Sequence, residues 1–198
     1  MPSRQPHRDQ QWSLDLHPFQ SEAHLEAFDL SCHARWRNRQ LSLRYSLRGP
    51  LQDLILPLTR SLRPQRRDNL WQSTCFEAFL AEVGEPSYWE LNLAPQGDWN
   101  VYHLSAYRSG LRTECRIQQL NSQVESMNNS PSQGHYTVLV NVDFADLIAT
   151  DTLIELSATA VLDHRRSGCS YWAWQHCGPE ADFHRRDSLM PSSRISGN

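Results

Sequence analysis

The feature that most constrains this chain is a period-two alternation of apolar and polar residues in short runs, each cut off by turn residues before an amphipathic helix could be completed. Phe76, Ala78 and Leu80 alternate with Cys75, Glu77 and Phe79, and Trp89, Leu91 and Leu93 alternate with Tyr88, Glu90 and Asn92. Side chains two apart share one face of a strand, so both runs read as strands with one buried face. Pro95, Gln96, Gly97 and Asp98 supply the turn into a further strand over residues 99–103. The same alternation marks residues 12–16, 30–36 and 41–47, with a hairpin turn at 37–40 and Gly49-Pro50 ending the third run. Residues 54–56, cut by Pro57, are expected to form a short edge strand.

Further strands are expected over 116–124, over 135–143 with Tyr136, Val138, Val140 and Val142 on one face, over 153–162, and over 170–175 across a turn at 165–168. Asp143 is placed to cap a brief helical turn, and the aperiodic stretch 123–134 reads as a mobile excursion. Many short strands without a long amphipathic helix define an all-β protein, an antiparallel β-sandwich or closed barrel. At 198 residues, with no linker separating two hydrophobic halves, residues 1–190 are read as one domain and 191–198 as a disordered tail.

Composition removes several function classes. Net charge is −3, and the densest basic run, residues 60–67, is short and broken by Pro64, so it reads as a solvated loop and no nucleic-acid partner is expected. The sequence has no lysine, which excludes Schiff-base lysine chemistry and a phosphate-loop lysine. No stretch is apolar enough for a membrane span, and the polar first residues lack a signal-peptide core. Five cysteines, an odd number, fit a reducing cytoplasm better than a disulfide framework.

Three groups of residues could carry chemistry. Trp71, Trp99, Trp172 and Trp174 fall in or beside strands in the half of the chain that also holds Glu77 and Asn92. Indole faces stack on sugar rings while carboxylates and amides bond hydroxyls, although tryptophan is also a good core filler. His176, Cys177, Glu180, Asp182 and His184 crowd one loop, but their spacing matches no zinc pattern, so a hydrogen-bonded loop is preferred to a metal site. Glu77 and Glu90, on neighbouring strands, could form a glycosidase carboxylate pair, while an arginine such as Arg108 would equally explain a buried glutamate.

Four segments in order carry a resemblance: Leu-Trp-Gln-Ser-Thr-Cys-Phe-Glu-Ala-Phe-Leu at 70–80, Tyr-Trp-Glu-Leu-Asn-Leu-Ala-Pro-Gln-Gly-Asp-Trp-Asn-Val-Tyr at 88–102, Tyr-Arg-Ser-Gly at 107–110, and Tyr-Trp-Ala-Trp-Gln-His with Pro-Glu-Ala-Asp-Phe-His within 171–184. Together they resemble the bacterial DOMON-like proteins, relatives of the type 9 carbohydrate-binding modules. The resemblance implies an immunoglobulin-like β-sandwich whose relatives bind sugars or haem. It implies that Trp71 and either Trp172 or Trp174 clamp a sugar ring, with Glu77 and Asn92 as polar partners. Haem ligation in such relatives uses a methionine and a histidine, and neither Met127 nor Met190 lies in a matching strand.

The sequence thus reads as a cytoplasmic, non-catalytic β-sandwich that binds a small polar ligand, a sugar or sugar derivative, with no cofactor or metal. The ligand-binding residues are expected to be Trp71, Glu77, Asn92, Arg108, Trp172, Trp174, His176, Asp182 and His184. Two other readings stay open: an enzyme, with or without a metal, acting on a sugar-like substrate through Glu77 and the 176–184 loop, and a protein-interaction sandwich.

Overall fold

The computed structural model describes residues 9–57, 59–128, 130 and 133–191. Of the expected tail, 191–198, Pro191 pairs with Glu155 and residues 192–198 lie outside the described residues. The described chain contains no α-helix and twelve strands. In chain order these are β1 (Gln10–Pro18), β2 (Asp29–Arg37), β3 (Gln40–Gly49), β4 (Cys75–Glu82), β5 (Tyr88–Leu93), β6 (Trp99–Leu104), β7 (Arg112–Thr113), β8 (Asn121–Asn128), β9 (Gly134–Asp143), β10 (Ile154–His164), β11 (Gly168–Ala173) and β12 (Met190–Pro191).

The strands pair in the order β7-β6-β5-β4-β10-β11-β1-β2-β3-β9-β8, with β12 beside β10, and each of these ladders is antiparallel. This order curls into two layers. One layer is β1-β2-β3-β9-β8 and the other β7-β6-β5-β4-β10-β11, their ladders joined among the described residues where His17 and Pro18 pair with Ala173 and Trp172. The result is an antiparallel β-sandwich.

The layers close on a core of alternating residues. Phe76, Ala78 and Leu80 of β4, Leu91 and Leu93 of β5, and Tyr136, Val138, Val140 and Val142 of β9 all face inward. Phe76 and Tyr136 stack across the sandwich with centroids 5.7 Å apart. Tyr45, buried from β3, sends its hydroxyl through the core to donate to the carbonyl of Glu77 on the opposite layer. The β2–β3 hairpin turns on Asn38 and Arg39 alone, both at positive φ, which is the two-residue turn whose twist suits antiparallel strands.

Three expectations are corrected. Residues 54–56 form no strand: a 3-10 turn, Leu51–Asp53, leads to a single bridge from Leu54 to His164, because Pro50 and Pro57 leave little chain free to pair. The strand expected at 116–124 starts only at Asn121, and instead of a mobile excursion it runs on to Asn128, paired with β9. Its side chains are polar because β8 is the edge of its layer, held by the ladder rather than by an apolar face. Finally, β4 and β5 do not have one buried face. Nearly every residue of both is buried, so their outward side chains lie under a second cover.

Candidate functional site

The cover is built from three connections that fold back over the outer face of β4, β5 and β6. Outward-facing Phe79, Ala81, Tyr88, Tyr102 and Leu104 form a second apolar cluster with Leu189, against which Trp71 and Phe183 pack. The 3-10 turn Leu70–Gln72 carries Trp71. It is tethered just upstream by Asp68, whose carboxylate accepts from Tyr102 Oη at 2.7 Å and Asn100 Nδ2 at 2.8 Å. The second connection is the tight turn after β6. Gly110 sits there at φ 65°, and a Cβ on it would lie 2.3 Å from Ser105 Oγ, so glycine is required and the turn presents Tyr107 and Arg108.

The third connection, residues 178–189, crosses the sheet and is fastened by Asp182. Its carboxylate accepts from Arg108 Nη2 at 2.8 Å, from the Tyr107 hydroxyl, and from the backbone N–H of His184 at 3.1 Å. Burial pushes the Asp182 carboxyl up, but the bonds from Tyr107 and Arg108 outweigh it and hold the group below the usual aspartate range. Arg186 anchors the far end on Glu155 Oε2 and on the carbonyls of Glu82 and Glu85, at 2.7–2.8 Å.

Between these connections and the sheet lies a cleft of about 350 Å³. Its floor is Glu77, Phe79 and Glu90, and its walls include Trp71, Tyr171, Phe183, His184, Arg108 and Leu111. The floor is unusual chemically. Glu77 is 3% exposed and Glu90 4%, yet Glu77 Oε1 and Glu90 Oε2 have no hydrogen-bond partner among the described residues. Thr159, directly opposite Glu77 on β10, and Cys75 are the polar neighbours that draw the Glu77 carboxyl down against burial. Buried polar groups without partners cost stability, so two on one floor require a reason.

The carboxyls are tuned accordingly. Burial, reinforced by the nearby Glu90, holds Glu77 well above the usual glutamate range, and burial raises Glu90 against the opposing bond from Asn92. Asn92 Nδ2 donates to Glu90 Oε1 at 2.7 Å and so fixes the second oxygen, Oε2, on the cleft side, 3.9 Å from His184 Nε2. Burial and then Arg108 pull His184 down to about 4, so its ring is neutral near pH 7. Tyr88 Oη accepts from the Arg108 N–H and lies 2.9 Å from His184 Nδ1. With the hydroxyl proton given to Nδ1, the ring hydrogen sits on Nε2 and faces Glu90.

Of the residues expected at the site, Trp71, Glu77, Arg108 and His184 line this cleft, Asn92 lies directly beneath it, and Asp182 holds its rim. The structure separates the other three from it. Trp172 pairs with Ala160 on the inward face of the layer, is 2% exposed and donates to Ser170 Oγ. Trp174 packs against the core edge and donates to the Ser188 carbonyl. His176 lies outside, bonded to the His17 carbonyl beside Phe19. The aromatic residue that β11 does turn to the cleft is Tyr171, of opposite parity to Trp172, and Phe183 faces it with ring centroids 6.1 Å apart. Period-two parity counted from the 165–168 turn was the signal for Tyr171.

A larger groove, about 780 Å³, crosses the outer face of β1–β3. Buried Leu16, Leu25, Leu30 and Trp172 reach its base, while its polar side chains are paired on the surface, as His33 with Ser13 and Arg44 with Glu125, and none supplies a buried unpartnered atom. No group of three or more potential metal ligands is gathered anywhere among the described residues.

No protein-family model matches the sequence, and no curated protein matches it. Among solved structures, the chain is similar to a candidate carbohydrate-binding protein from Bacteroides uniformis, with TM-score 0.63 and 10% identity over 90% of this chain and 86% of that one. It also aligns with a family 9 carbohydrate-binding module from Caldicellulosiruptor kristjanssonii in complex with cellotriose, with TM-score 0.45 and 11% identity over 82% of this chain and 71% of that one. The first likeness establishes a shared β-sandwich fold, and the second is too distant to add to it.

Proposed function

We propose that the covered cleft binds a small polar ligand of the carbohydrate class and that binding, rather than catalysis, is its role. The observation that carries this reading is the pair of buried acceptors without a hydrogen-bond partner on a floor beneath aromatic walls: Glu77 Oε1 and Glu90 Oε2 under Trp71, Tyr171 and Phe183. Such a floor accepts hydrogen bonds from ring hydroxyls, while the aromatic faces stack on the apolar side of the ring. The cleft volume, about 350 Å³, lies at the small end for ligand pockets and suits a single sugar ring. The fold shared with a candidate carbohydrate-binding protein and the resemblance of the 70–110 and 171–184 motifs to DOMON-like proteins support the same class. The five unpaired cysteines support a cytoplasmic setting.

A hydrolytic reading has one specific observation behind it, two carboxyls of raised pKa in one cleft. Haem ligation has none, since Met127 lies exposed on β8 in the other layer and Met190 pairs in β12. The test is a panel of monosaccharides and their aryl glycosides against the parent and Trp71→Ala. Saturable change in tryptophan fluorescence, weakened about tenfold or more in the variant without release of the aryl group, is the expected result. Release of the aryl group would replace binding by hydrolysis, and no response to any member would remove both.

A further inference from the structure

We infer that the ligand carries a protonated amine seated between Glu77 and Glu90, so that the cleft is selective for an amino sugar over its neutral counterpart. This rests on the carbohydrate reading above and narrows it. Glu77 and Glu90 lie on one sheet face in diagonal register, Glu77 pairing with Asn92 and Glu90 with Phe79. Both are more than nine-tenths buried, both line the cleft, and each keeps a buried oxygen without a hydrogen-bond partner among the described residues. Neutral hydroxyls would meet the acceptors but leave the pair in the protonated form that burial and mutual repulsion enforce. A cation would meet the acceptors and also favour the ionised pair.

The protein seats no cation between the two carboxyls. Arg108, the arginine at the rim, offsets part of the burial of Glu90 from a distance but has its guanidinium fork engaged with Asp182 at 2.8 and 3.3 Å. His184, the other basic group facing Glu90, stands 3.9 Å from it with Nδ1 occupied by the Tyr88 hydroxyl and its ring neutral. Other titratable groups around the pair, Tyr45, Cys75, Tyr88 and Tyr102, are uncharged near pH 7 because burial raises all four. The walls also suit a cation: Trp71, Phe79, Tyr171 and Phe183 surround the floor with aromatic rings, whose faces attract positive charge.

The experiment is calorimetric titration at pH 6.5, where the amine of glucosamine is protonated, with glucosamine, glucose and N-acetylglucosamine, on the parent, Glu77→Gln and Glu90→Gln. Charge-assisted hydrogen bonds are about twice as strong as neutral ones, so glucosamine should bind at least about tenfold more tightly than glucose or the acetylated sugar. Either glutamine variant should reduce that preference to about threefold or less while retaining glucose binding. Circular dichroism on the same samples checks that each isosteric variant is folded. Glucose binding as well as glucosamine, or a preference that survives both variants, overturns the amine and leaves the sugar reading standing. Binding of none of the three sugars by the folded parent overturns both.

Discussion

Glu77 on β4 and Glu90 on β5 face the same covered cleft, one strand apart and offset by two residues in register, and each presents a buried oxygen that no described residue bonds. A fold that only needed a sheet would place aliphatic residues there. The pair is therefore a stability cost retained at the proposed binding site, and its sign is measurable. Because the folded protein holds the Glu77 proton more tightly than the unfolded chain does, this residue withdraws stability as pH rises above the ordinary glutamate value, 4.5.

Glu77→Gln should accordingly raise the melting temperature at pH 8 and change it less at pH 4.5. A gain of about 1–2 kcal/mol corresponds to roughly 2–8 °C for a chain of this size. Thermal melts of parent and variant across pH 4.5–8 measure it, and a variant that melts lower at pH 8 would show that the carboxylate is a structural partner.

His184 contributes the opposite limb. Its folded pKa, about 4, lies below the ordinary 6.5, so on acidification the unfolded chain takes up a proton before the folded one can, and stability falls from pH 6.5 towards 4. Between pH 4.5 and 6.5 the two residues act against each other, so Glu77→Gln should expose a steeper rise of stability with pH. The direct check is an NMR titration of the His184 ring, which should remain neutral at pH 5.5.

Asp182 ties two of the three covering connections together, so its loss should loosen the cover more than the sandwich. Asp182→Ala is expected to cost about 1–3 kcal/mol globally. It should also raise hydrogen exchange in residues 105–111 and 178–188 well above that in β4 and β10. Uniform exchange across the protein would place the clamp in the core's cooperative unit instead.

Much of the sandwich was legible because each inward face alternates cleanly: Tyr136, Val138, Val140 and Val142 are all buried where period two puts them. What the sequence concealed were elements whose stability is not apolar. β8 is polar because an edge strand is held by its ladder, and residues 54–56, though apolar, pack without pairing beyond one bridge. The site was half legible. Glu77 and Glu90 stand out as acids inside strands, but the cover over them depends on where residues 178–189 dock, and that docking rests on the long-range contacts of Asp182 and Arg186. No local pattern reports such contacts. Trp172 and Trp174 were expected at the site, yet the β11 aromatic that lines the cleft is Tyr171, since strand parity decides which side chain meets it.

That parity makes the last prediction. Trp172 and Tyr171 are adjacent in β11 yet point to opposite faces, one into the core and one, 36% exposed, to the rim of the cleft. Trp172→Ala should remove a buried indole and its bond to Ser170, costing about 3–5 kcal/mol of stability. Tyr171→Ala removes a half-open ring from the surface and should leave stability within about 1 kcal/mol of the parent. If Tyr171 stacks on the ligand, its loss should weaken sugar binding about tenfold, whereas folded Trp172→Ala should bind within about threefold of the parent. Denaturant melts and the fluorescence titration, run on both variants, separate the two roles. A Tyr171→Ala protein that binds as well as the parent would move the ligand off the β11 side of the cleft, towards Trp71.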